Sequence, residues 1–407
     1  MRLFRYCAFL AFVSPLFPLD AAPSVVVTMA SVGDRVRAEN PDLAAARWRI
    51  REALGRHEQS GRLSNPELDF EFEGGAGLGE RRASVGISQR FPVTSRLELE
   101  KRVTGVELRA ATAEVDDVAR RLVAEARAAV VDVLAVRARR DLLEKQAELN
   151  RELAETIKRA AEKGEASLLD AGQARVEAMR VAAEARGLDA REAEALGRLK
   201  PLLGMGVGGR LVVSGVLPAA ELPAAGADPE RRPDYQMAKL GAEAAAQGVS
   251  LEEARRHEDV EAGVFVAGER AEDAPDGYEG ELVAGIRLSV PLPLWNKNEG
   301  AIGEAKARHE RMKLEAVALG RAIRMEAEAA LGEMREWSAL VAELGDELLP
   351  LAREQAELEA EAWHNGQTDL ESVLRARAQV LELAGSRLDA LRDFHLARVR
   401  WMAAGSY

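Results

Sequence analysis

The residue types that most often carry enzyme or metal chemistry are few in this chain and irregularly spaced. Its five histidines show no metal-ligand spacing with one another or with carboxylates: His57, His257, His309, His364 and His395. The sequence contains no P-loop, no GxSxG elbow and no His-Glu-x-x-His helix. The glycine-rich segment 204–209 lacks the strand before it and the helix after it that a nucleotide-binding loop requires. We therefore expect a protein that is not an enzyme and that holds no metal and no cofactor.

Carboxylates, by contrast, follow a regular pattern in one short segment. Between residues 67 and 73, every second residue is acidic and the residues between them are apolar. The acidic set is Glu67, Asp69, Glu71 and Glu73, and the apolar set is Leu68, Phe70 and Phe72. A period of two predicts a β-strand with one charged face and one apolar face. The charged face could select cations or could simply be solvated, and only an ion preference would distinguish the two.

The overall composition limits the classes of protein that remain. Of the 407 residues, 30% are charged and only 4% are aromatic, which is typical of long helices packed along narrow seams. The formal net charge of −12 argues against a general nucleic-acid binder, since nothing resembles a phosphate-neutralising surface. Beyond the N-terminus, no apolar run reaches the roughly 18 residues that a membrane helix needs. A conventional helical membrane protein is therefore excluded.

The N-terminal segment has the layout of a secretory signal. Arg2 and Arg5 precede an apolar run from Cys7 to Leu19, and small residues follow the run. This pattern predicts a signal peptide over residues 1–30, with cleavage after Ala22 or Ala30. An anchor helix is the alternative, but a serine and two prolines break the apolar run. Because Cys7 is the only cysteine, the mature chain would contain no disulfide and no thiol chemistry.

The rest of the chain contains two copies of one pattern. Asn-Pro-Asp at 40–42 and Arg-Pro-Asp at 232–234 each open a helical stretch, and the motifs GISQRFP at 86–92 and GIRLSVP at 285–291 follow. The offset between the copies grows from 192 at the prolines to 199 at the Gly-Ile motifs and 202 at the helix-ending glycines. This predicts a duplication with small loop insertions. We assign residues 31–204 to the first repeat, 205–231 to a linker, which the family resemblance given below implies is equatorial, and 232–407 to the second repeat.

Each repeat is expected to contain one very long helix, over residues 95–163 and 298–364. Each would extend roughly 100 Å. Gly164 and Gly366 end these helices, and the segments Ser167-x-x-Asp170 and Thr368-x-x-Glu371 predict capping boxes for the helices that follow. Pro350 predicts a kink in the second long helix. That helix also shows a heptad seam: Met334, Trp337, Val341, Leu344, Leu348, Leu351, Gln355, Leu358 and Ala362. Two antiparallel helical hairpins with tight tips are the predicted result.

Four alternating segments, two in each repeat, predict β-strands of about the length that a tilted strand needs to cross a bilayer. Half-buried hairpins on a soluble domain would show the same alternation. Four strands cannot close a barrel, and an open edge in lipid leaves backbone groups unpaired. If the strands span a membrane, several subunits must therefore combine them. Two chains would give eight strands with a filled interior, whereas three would give twelve and room for water, so a trimer is favoured.

These features together resemble the TolC family of outer-membrane channel proteins. The resemblance covers the mature chain and rests on the paired openings at 40–43 and 232–234 and on three longer segments. These are the strand-to-helix passage 285–307, the hairpin segment 348–379 and its counterpart 163–178. The segment PLPLWNKNEG within the passage is most similar to the branch that serves heavy-metal resistance pumps, the CzcC and CusC type.

The resemblance implies a mainly α fold with a small β part. In the family, duplicated long antiparallel helical hairpins form an α-barrel tunnel, and four membrane strands per protomer form a twelve-stranded barrel in a homotrimer. It also implies contact with outer-membrane lipid in a Gram-negative bacterium and a long periplasmic extension. The expected partners are a periplasmic adaptor, or membrane fusion protein, and an inner-membrane RND pump. The function implied is a passive duct of a tripartite efflux system, exporting heavy-metal cations or other small toxic compounds.

By the same resemblance, the hairpin tips would dock onto the adaptor and close the channel. The docking set is Gly164, Ser167, Leu168, Gly366, Asp369 and Leu370. Asp170 matches the acidic gate position of the family, whereas the second repeat carries Ser372 there and Arg375 one turn later, which puts a gate of two acidic rings in doubt. Glu371 and Asp369 could replace the second ring. In the strands, Glu67, Asp69, Glu71 and Glu73 would face the barrel lumen and form an acidic mouth.

A second interpretation belongs to a different class. A periplasmic coiled-coil adaptor or scaffold without a pore would also contain helical hairpins. Such adaptors carry compact lipoyl-like and barrel domains rich in Gly and Val, and the sequence shows no segment of that kind.

Overall fold

The computed structural model describes residues 24–74, 80–164, 167–224, 228–273 and 277–405. Cys7, Ala22 and most of the predicted signal peptide lie outside the described residues. The predicted fold class, mainly α with a small β part, is confirmed. The helices are α1 (Val32–Glu39), α2 (Pro41–Gln59), α3 (Arg96–Glu162), α4 (Leu168–Leu202), α5 (Pro233–Ala254), α6 (Glu299–Ala342), α7 (Leu349–His364) and α8 (Leu370–Gly405). The strands are β1 (Val25–Val27), β2 (Glu67–Gly74), β3 (Arg81–Phe91), β4 (Leu211–Val213), β5 (Val260–Asp273) and β6 (Gly277–Ser289).

The first helical hairpin consists of α3 and α4, which pack along each other. Gly164 follows α3 with a φ of +79°, and Gly366 follows α7 with a φ of +73°, so both glycines adopt the left-handed conformation that ends helices. Both hairpin ends are therefore as predicted. Among the described residues, none of the helices combines the length and the hydropathy that a bilayer crossing requires.

The second long helix is interrupted, because a π-helical turn, Glu343–Leu348, separates α6 from α7. The Leu349 amide donates to the Leu344 carbonyl, a bond five residues back along the chain. The turn lies directly before Pro350, which has no amide to continue an α-helical ladder. The kink predicted at this proline is thus associated with a one-residue insertion in the helix.

This insertion makes the predicted heptad seam wrong beyond Leu344. One extra residue rotates the following side chains by about 100° around the helix axis. Leu349 and Ala352 are consequently buried, whereas Leu351 is 62% exposed and Leu358 is 58% exposed. In the first long helix, which is continuous, Leu149 is exposed and its neighbour Asn150 is buried.

Strands β2, β3, β5 and β6 form one antiparallel sheet in that order. The four strands predicted from the alternating segments are therefore confirmed. Each repeat contributes one hairpin, and the two repeats are joined in the middle of the sheet, where β3 pairs with β5 from Phe91–Val260 to Arg81–Arg270. Within the described ranges, β2 and β6 are paired on one side only.

A second, small sheet joins the N-terminal segment to the linker. β1 pairs in parallel with β4, and Val27, Leu211 and Val213 are buried in a cluster with α1, α3 and α4. Cleavage after Ala30 would remove β1 from this cluster, so the packing favours cleavage after Ala22. The site itself stays a prediction.

Candidate functional site

The register divides the side chains of the four-stranded sheet into two faces. Directly opposed residues of antiparallel strands point to the same side, so Glu67, Ser88, Gly263 and Arg287 share one face, which we call the polar face. The neighbouring row, which includes Leu68, Ile87, Val264 and Ile286, lies on the other, apolar face.

Burial shows which face is concave. On the polar face, Ser88 is 5% exposed and Ala267 is 1% exposed, whereas the large apolar side chains of the opposite face are about half exposed or more. Side chains crowd one another on the inside of a curved sheet and spread apart on its outside. We therefore infer that the polar face is the inner, concave face and that the apolar face points outward.

The four predicted lumen carboxylates lie together on the polar face. Hydroxyl groups of β3 donate to two of them: Ser88 Oγ lies 3.1 Å from Asp69 Oδ2, and Ser84 Oγ lies 3.4 Å from Glu71 Oε2. Arg90 forms an ion pair with Glu67 at 3.4 Å, and Glu73 is paired with Arg82 in the register. The carboxylates are thus held on the inner surface by neighbours on the next strand.

The polar face carries an excess of negative charge. The rows of the polar face run from that of Arg90, Glu261 and Ser289 to that of Glu73, Arg82, Glu269 and Glu281. Together these rows contain seven carboxylates and three guanidinium groups, which give a net charge of −4 per chain. The other carboxylates are Glu67, Asp69 and Glu71, and the other guanidinium is Arg287. A concave surface of one predominant sign raises the local concentration of counter-ions, here cations.

The first hairpin tip presents an apolar surface. Leu168 is 76% exposed, and Leu169 beside it is exposed as well. The Ser167 hydroxyl accepts from the Leu169 amide at 3.1 Å and caps α4, as predicted. Asp170 is half-buried on the first turn of α4.

The second tip differs from the first. Leu370 is only 3% exposed and packs against Ala154, Ile157 and Ala174 of the first hairpin. In the single chain Leu370 therefore lies in the core that joins the two tips, and its place in the docking set stays a prediction. The exposed leucines are those of the first tip.

The helix cap at the second tip is also not the predicted one. α8 begins at Leu370, and the Ser372 amide donates to Asp369 Oδ1 at 2.8 Å, so the cap is Asp369 and not Thr368. Glu371 forms an ion pair with Arg375 at 2.7 Å, one helical turn away. Both acids that could replace the second ring thus have partners on their own helix.

Replacing Asp369 by Ala is expected to raise the amide hydrogen-exchange rates of Ser372 and Val373 several-fold, because the first turn of α8 loses its acceptor. Asp369→Asn keeps an acceptor oxygen and should retain most of the protection. Equal exchange in the wild type and the Ala variant would show that the cap does not hold this turn.

The stabilisation of α8 by the Asp369 cap should be lost as the pH falls. The Ser372 amide, and to a lesser extent the Ser372 hydroxyl, holds the pKa of Asp369 below its usual range. The contribution to helix stability is therefore complete above the unfolded pKa of about 3.9 and is lost as the pH falls through the lower folded-state value. Protection of Ser372 should fall in this acidic range in the wild type, and the Asp369→Asn variant should show no such step.

An ion-pair network that the sequence did not indicate joins four helices near the start of the second repeat. Arg232 Nε donates to Asp234 Oδ1 at 2.9 Å, and its Nη1 donates to Glu326 Oε2 at 2.6 Å. Arg120 lies 3.8 Å from Asp234, pairs with Asp117 at 2.7 Å and donates to the Ala403 carbonyl. The only signal in the sequence was the repeated Pro-Asp motif that opens α2 and α5.

Two of the histidines, His395 and His57, lie within hydrogen-bond distance of other residues of the fold. His395 is buried, and its Nε2 lies 2.9 Å from the Pro218 carbonyl, which ties the linker to α8. His57 Nδ1 lies 3.0 Å from the Thr104 hydroxyl. Over the described ranges, His, Cys, Asp and Glu residues form no group that could hold a metal ion.

Comparisons with known proteins agree with this architecture. Residues 32–205 match the family model described as outer membrane efflux protein. The fold is similar to the solved structure of CusC, with a TM-score of 0.76 and 15% identity over 92% of this chain and 91% of that chain. VceC from Vibrio cholerae gives 0.72 and 16% identity over 93% and 96%, and the CmeC outer membrane channel of Campylobacter jejuni gives 0.69 and 13% over 92% and 85%. A search of curated protein sequences gives no match.

Proposed function

We propose that the chain, whose residues 32–205 match the outer membrane efflux protein family, is the outer-membrane channel of a tripartite efflux system. We infer from this similarity that the protein acts as a channel and not as an enzyme. We further propose that it works as a homotrimer in the outer membrane of a Gram-negative bacterium. It would be a passive duct that carries heavy-metal cations or other small toxic compounds from the periplasm or the pump to the exterior.

The observation that supports this proposal most directly is the four-stranded sheet, which has an apolar outer face and whose edge strands β2 and β6 are, within the described residues, paired on one side only. In lipid, each unpaired backbone group costs several kcal/mol, so the edge of β6 must pair with β2 of another chain. Two chains would close an eight-stranded barrel whose interior is filled by side chains, whereas three chains give twelve strands and a water-filled lumen. The charged inner face needs water, which favours three chains.

Exposed apolar residues on the tunnel helices also favour assembly. Leu351 and Leu358 on α7, and Leu314 and Met325 on α6, are more than half exposed in the single chain. Large apolar side chains that form exposed patches are uncommon on monomers and favour contact with another chain. We propose that the α7 surface packs against a neighbouring protomer.

The hairpin tips are the proposed docking surface for a periplasmic adaptor that links the channel to an inner-membrane RND pump. Leu168 and Leu169 would supply the apolar contact, and Gly164, Ser167, Gly366 and Asp369 would shape the two turns. The alternative, an adaptor or scaffold without a pore, has no support from the fold, because the likeness to channel structures covers more than nine-tenths of the chain.

Two measurements test the proposal together. Cell fractionation should recover the protein from the outer membrane as a trimer that dissociates on heating, and the purified trimer should conduct ions in planar bilayers. A soluble monomer that is absent from outer membranes would overturn the proposal. Deletion of the gene, followed by growth on Co, Zn, Cd, Cu, Ag and hydrophobic drugs, would identify the cargo.

The gate can be tested in the same bilayers. Replacing Asp170 by Ala should raise conductance and lower cation selectivity roughly twofold, because three copies of an acid near the tip are removed. Glu371→Ala should have the smaller effect, since Arg375 already neutralises this carboxylate within its own helix. Unchanged conductance and selectivity in both variants would exclude an acidic gate at the tips.

A further inference from the structure

One side chain on the polar face is aromatic, unlike the residues around it. Phe265 lies in the row Asp69, Gly86, Phe265 and Gly285, between two glycines that are its direct partners on β3 and β6. In the fully paired rows around it, the inner face carries charged, hydroxyl and small side chains, with Val283 as the largest other apolar residue. An aromatic ring therefore stands alone on a wet, acidic surface.

Both neighbouring glycines make room for this ring. A Cβ atom at Gly285 would lie 2.6 Å from Phe265 Cζ and 2.7 Å from Cε1, and one at Gly86 would lie 3.1 Å from Phe265 Cβ. The ring thus lies over the backbone of β6 at Gly285. Any other residue there would push the ring away from the barrel wall.

Arg287, which lies on β6 like Gly285, is also close to the Phe265 ring. Its guanidinium carbon lies 5.6 Å from the centre of the Phe265 ring, within the range of a cation–π contact. The ring is therefore positioned by a glycine beneath it and a cation over it, and the half-buried side chain keeps part of its surface exposed.

The two repeats place different chemistry at this level of the sheet. Gly86 and Gly285 are equivalent residues of the two Gly-Ile motifs, and their direct partners across the hairpins are Asp69 in the first repeat and Phe265 in the second. In a closed trimer, the row would therefore alternate three carboxylates with three aromatic rings around the lumen. Carboxylates attract cations, and aromatic rings offer apolar and cation–π contact.

We propose that this row is a contact belt for organic cations with aromatic groups as they pass through the barrel. The belt rests on the proposed channel function and specifies its cargo. A hydrated metal ion would be attracted by Asp69 but would gain little from the ring, so Phe265 favours organic cations over metal ions. Arg287 and Gly285 are positioning residues for the ring.

The test is the block of sodium current through the purified trimer in planar bilayers by tetraphenylphosphonium. Tetrabutylammonium, an aliphatic cation, and Cd²⁺ serve as comparison ions. Phe265→Ala should weaken the block by tetraphenylphosphonium about fivefold and leave block by the other two ions within about twofold of the wild type. Phe265→Leu, which keeps an apolar side chain, guards against loss of assembly and should weaken the same block by a smaller factor.

Matched variants separate the roles within the belt. Asp69→Asn should weaken block by all three cations, and Gly285→Ala should act like Phe265→Ala because its Cβ displaces the ring. Arg287→Gln should weaken block by tetraphenylphosphonium relative to block by tetrabutylammonium, since the change of charge acts on both ions alike, and Arg287→Lys should restore this ratio. Phe70→Ala, on the apolar face beside Asp69, is the control and should leave block unchanged.

The outcomes distinguish the belt from the channel. A conducting trimer whose block by tetraphenylphosphonium is the same in the wild type, Phe265→Ala and Phe265→Leu would overturn the belt and leave the channel function intact. Equal weakening for the aromatic and aliphatic cations would also overturn it, since only charge would then be recognised. A wild-type protein that carries no current would overturn the proposed function itself.

Discussion

Replacing Leu351 and Leu358 together by serine is expected to convert the proposed trimer into monomers. Both side chains lie on the face of α7 that the π-helical turn rotates away from the protomer's own core. If a neighbouring chain covers them, each leucine contributes about 1.5–3 kcal/mol of apolar burial, so the double variant loses roughly 3–6 kcal/mol per protomer. The measurement is the fraction of trimer recovered in unheated gels and by analytical ultracentrifugation in detergent.

A matched control introduces serine at two other positions of α7. Glu354 and Glu361 are both exposed. Replacing both by serine should leave the trimer intact, because neither carboxylate forms part of the apolar surface. A leucine variant that remains fully trimeric would show that another partner, or water, lies against this face of α7.

Arg232→Met is expected to destabilise the folded protein by about 3 kcal/mol. The guanidinium is nearly buried and binds both Asp234 and Glu326, so its removal leaves Asp234 without its closest cation at the start of α5. Methionine keeps most of the volume of the side chain, so the loss reports on charge and hydrogen bonds more than on packing. The thermal unfolding midpoint, followed by circular dichroism in detergent, should fall clearly.

Arg231 provides the control one residue earlier. Its side chain is largely exposed, and its ion pair with Asp228 is 3.6 Å long. Exposed pairs of this kind contribute at most about 1 kcal/mol, so Arg231→Met should leave the midpoint nearly unchanged. Similar midpoints for the two variants would show that the network around Asp234 does not stabilise the fold.

Most of the architecture could be predicted from the sequence, because local chemistry determined it. Gly164 and Gly366 ended long helices where a left-handed residue was required, and strict alternation marked β2 and β6. The predicted bounds of the first long helix differ from α3 by one residue at each end. These signals depend on neighbouring residues only, and tertiary contacts did not change them.

The errors arose where geometry depended on residues far apart in sequence or on a change of helical type. The heptad pattern continued through Leu348, Leu351 and Leu358, but a π-helical turn shifted the buried face. The three-residue strands β1 and β4 were too short to show a pattern. The N-cap of α8 was predicted at Thr368 but is Asp369, because Thr and Asp both favour the N-cap position.

For the candidate site, the sequence identified the acidic face of β2 but not the residue that distinguishes it. Phe265 occurs among the small residues of β5, and only the register shows that Gly86 and Gly285 flank it. The buried position of Leu370 was also beyond sequence patterns, since it depends on the packing of one hairpin tip against the other. Whether the tips dock or gate stays a prediction.

The pairing of β3 with β5 inside one chain has a consequence for symmetry. In the proposed trimer, the contact between β6 and β2 of the next chain would repeat this internal junction, so the ring would have six quasi-equivalent hairpins and approximate sixfold symmetry. A hexamer of single repeats could carry only six identical side chains at any level. In the proposed trimer, duplication and fusion would lower the symmetry to threefold and would allow Asp69 and Phe265 to differ at equivalent positions.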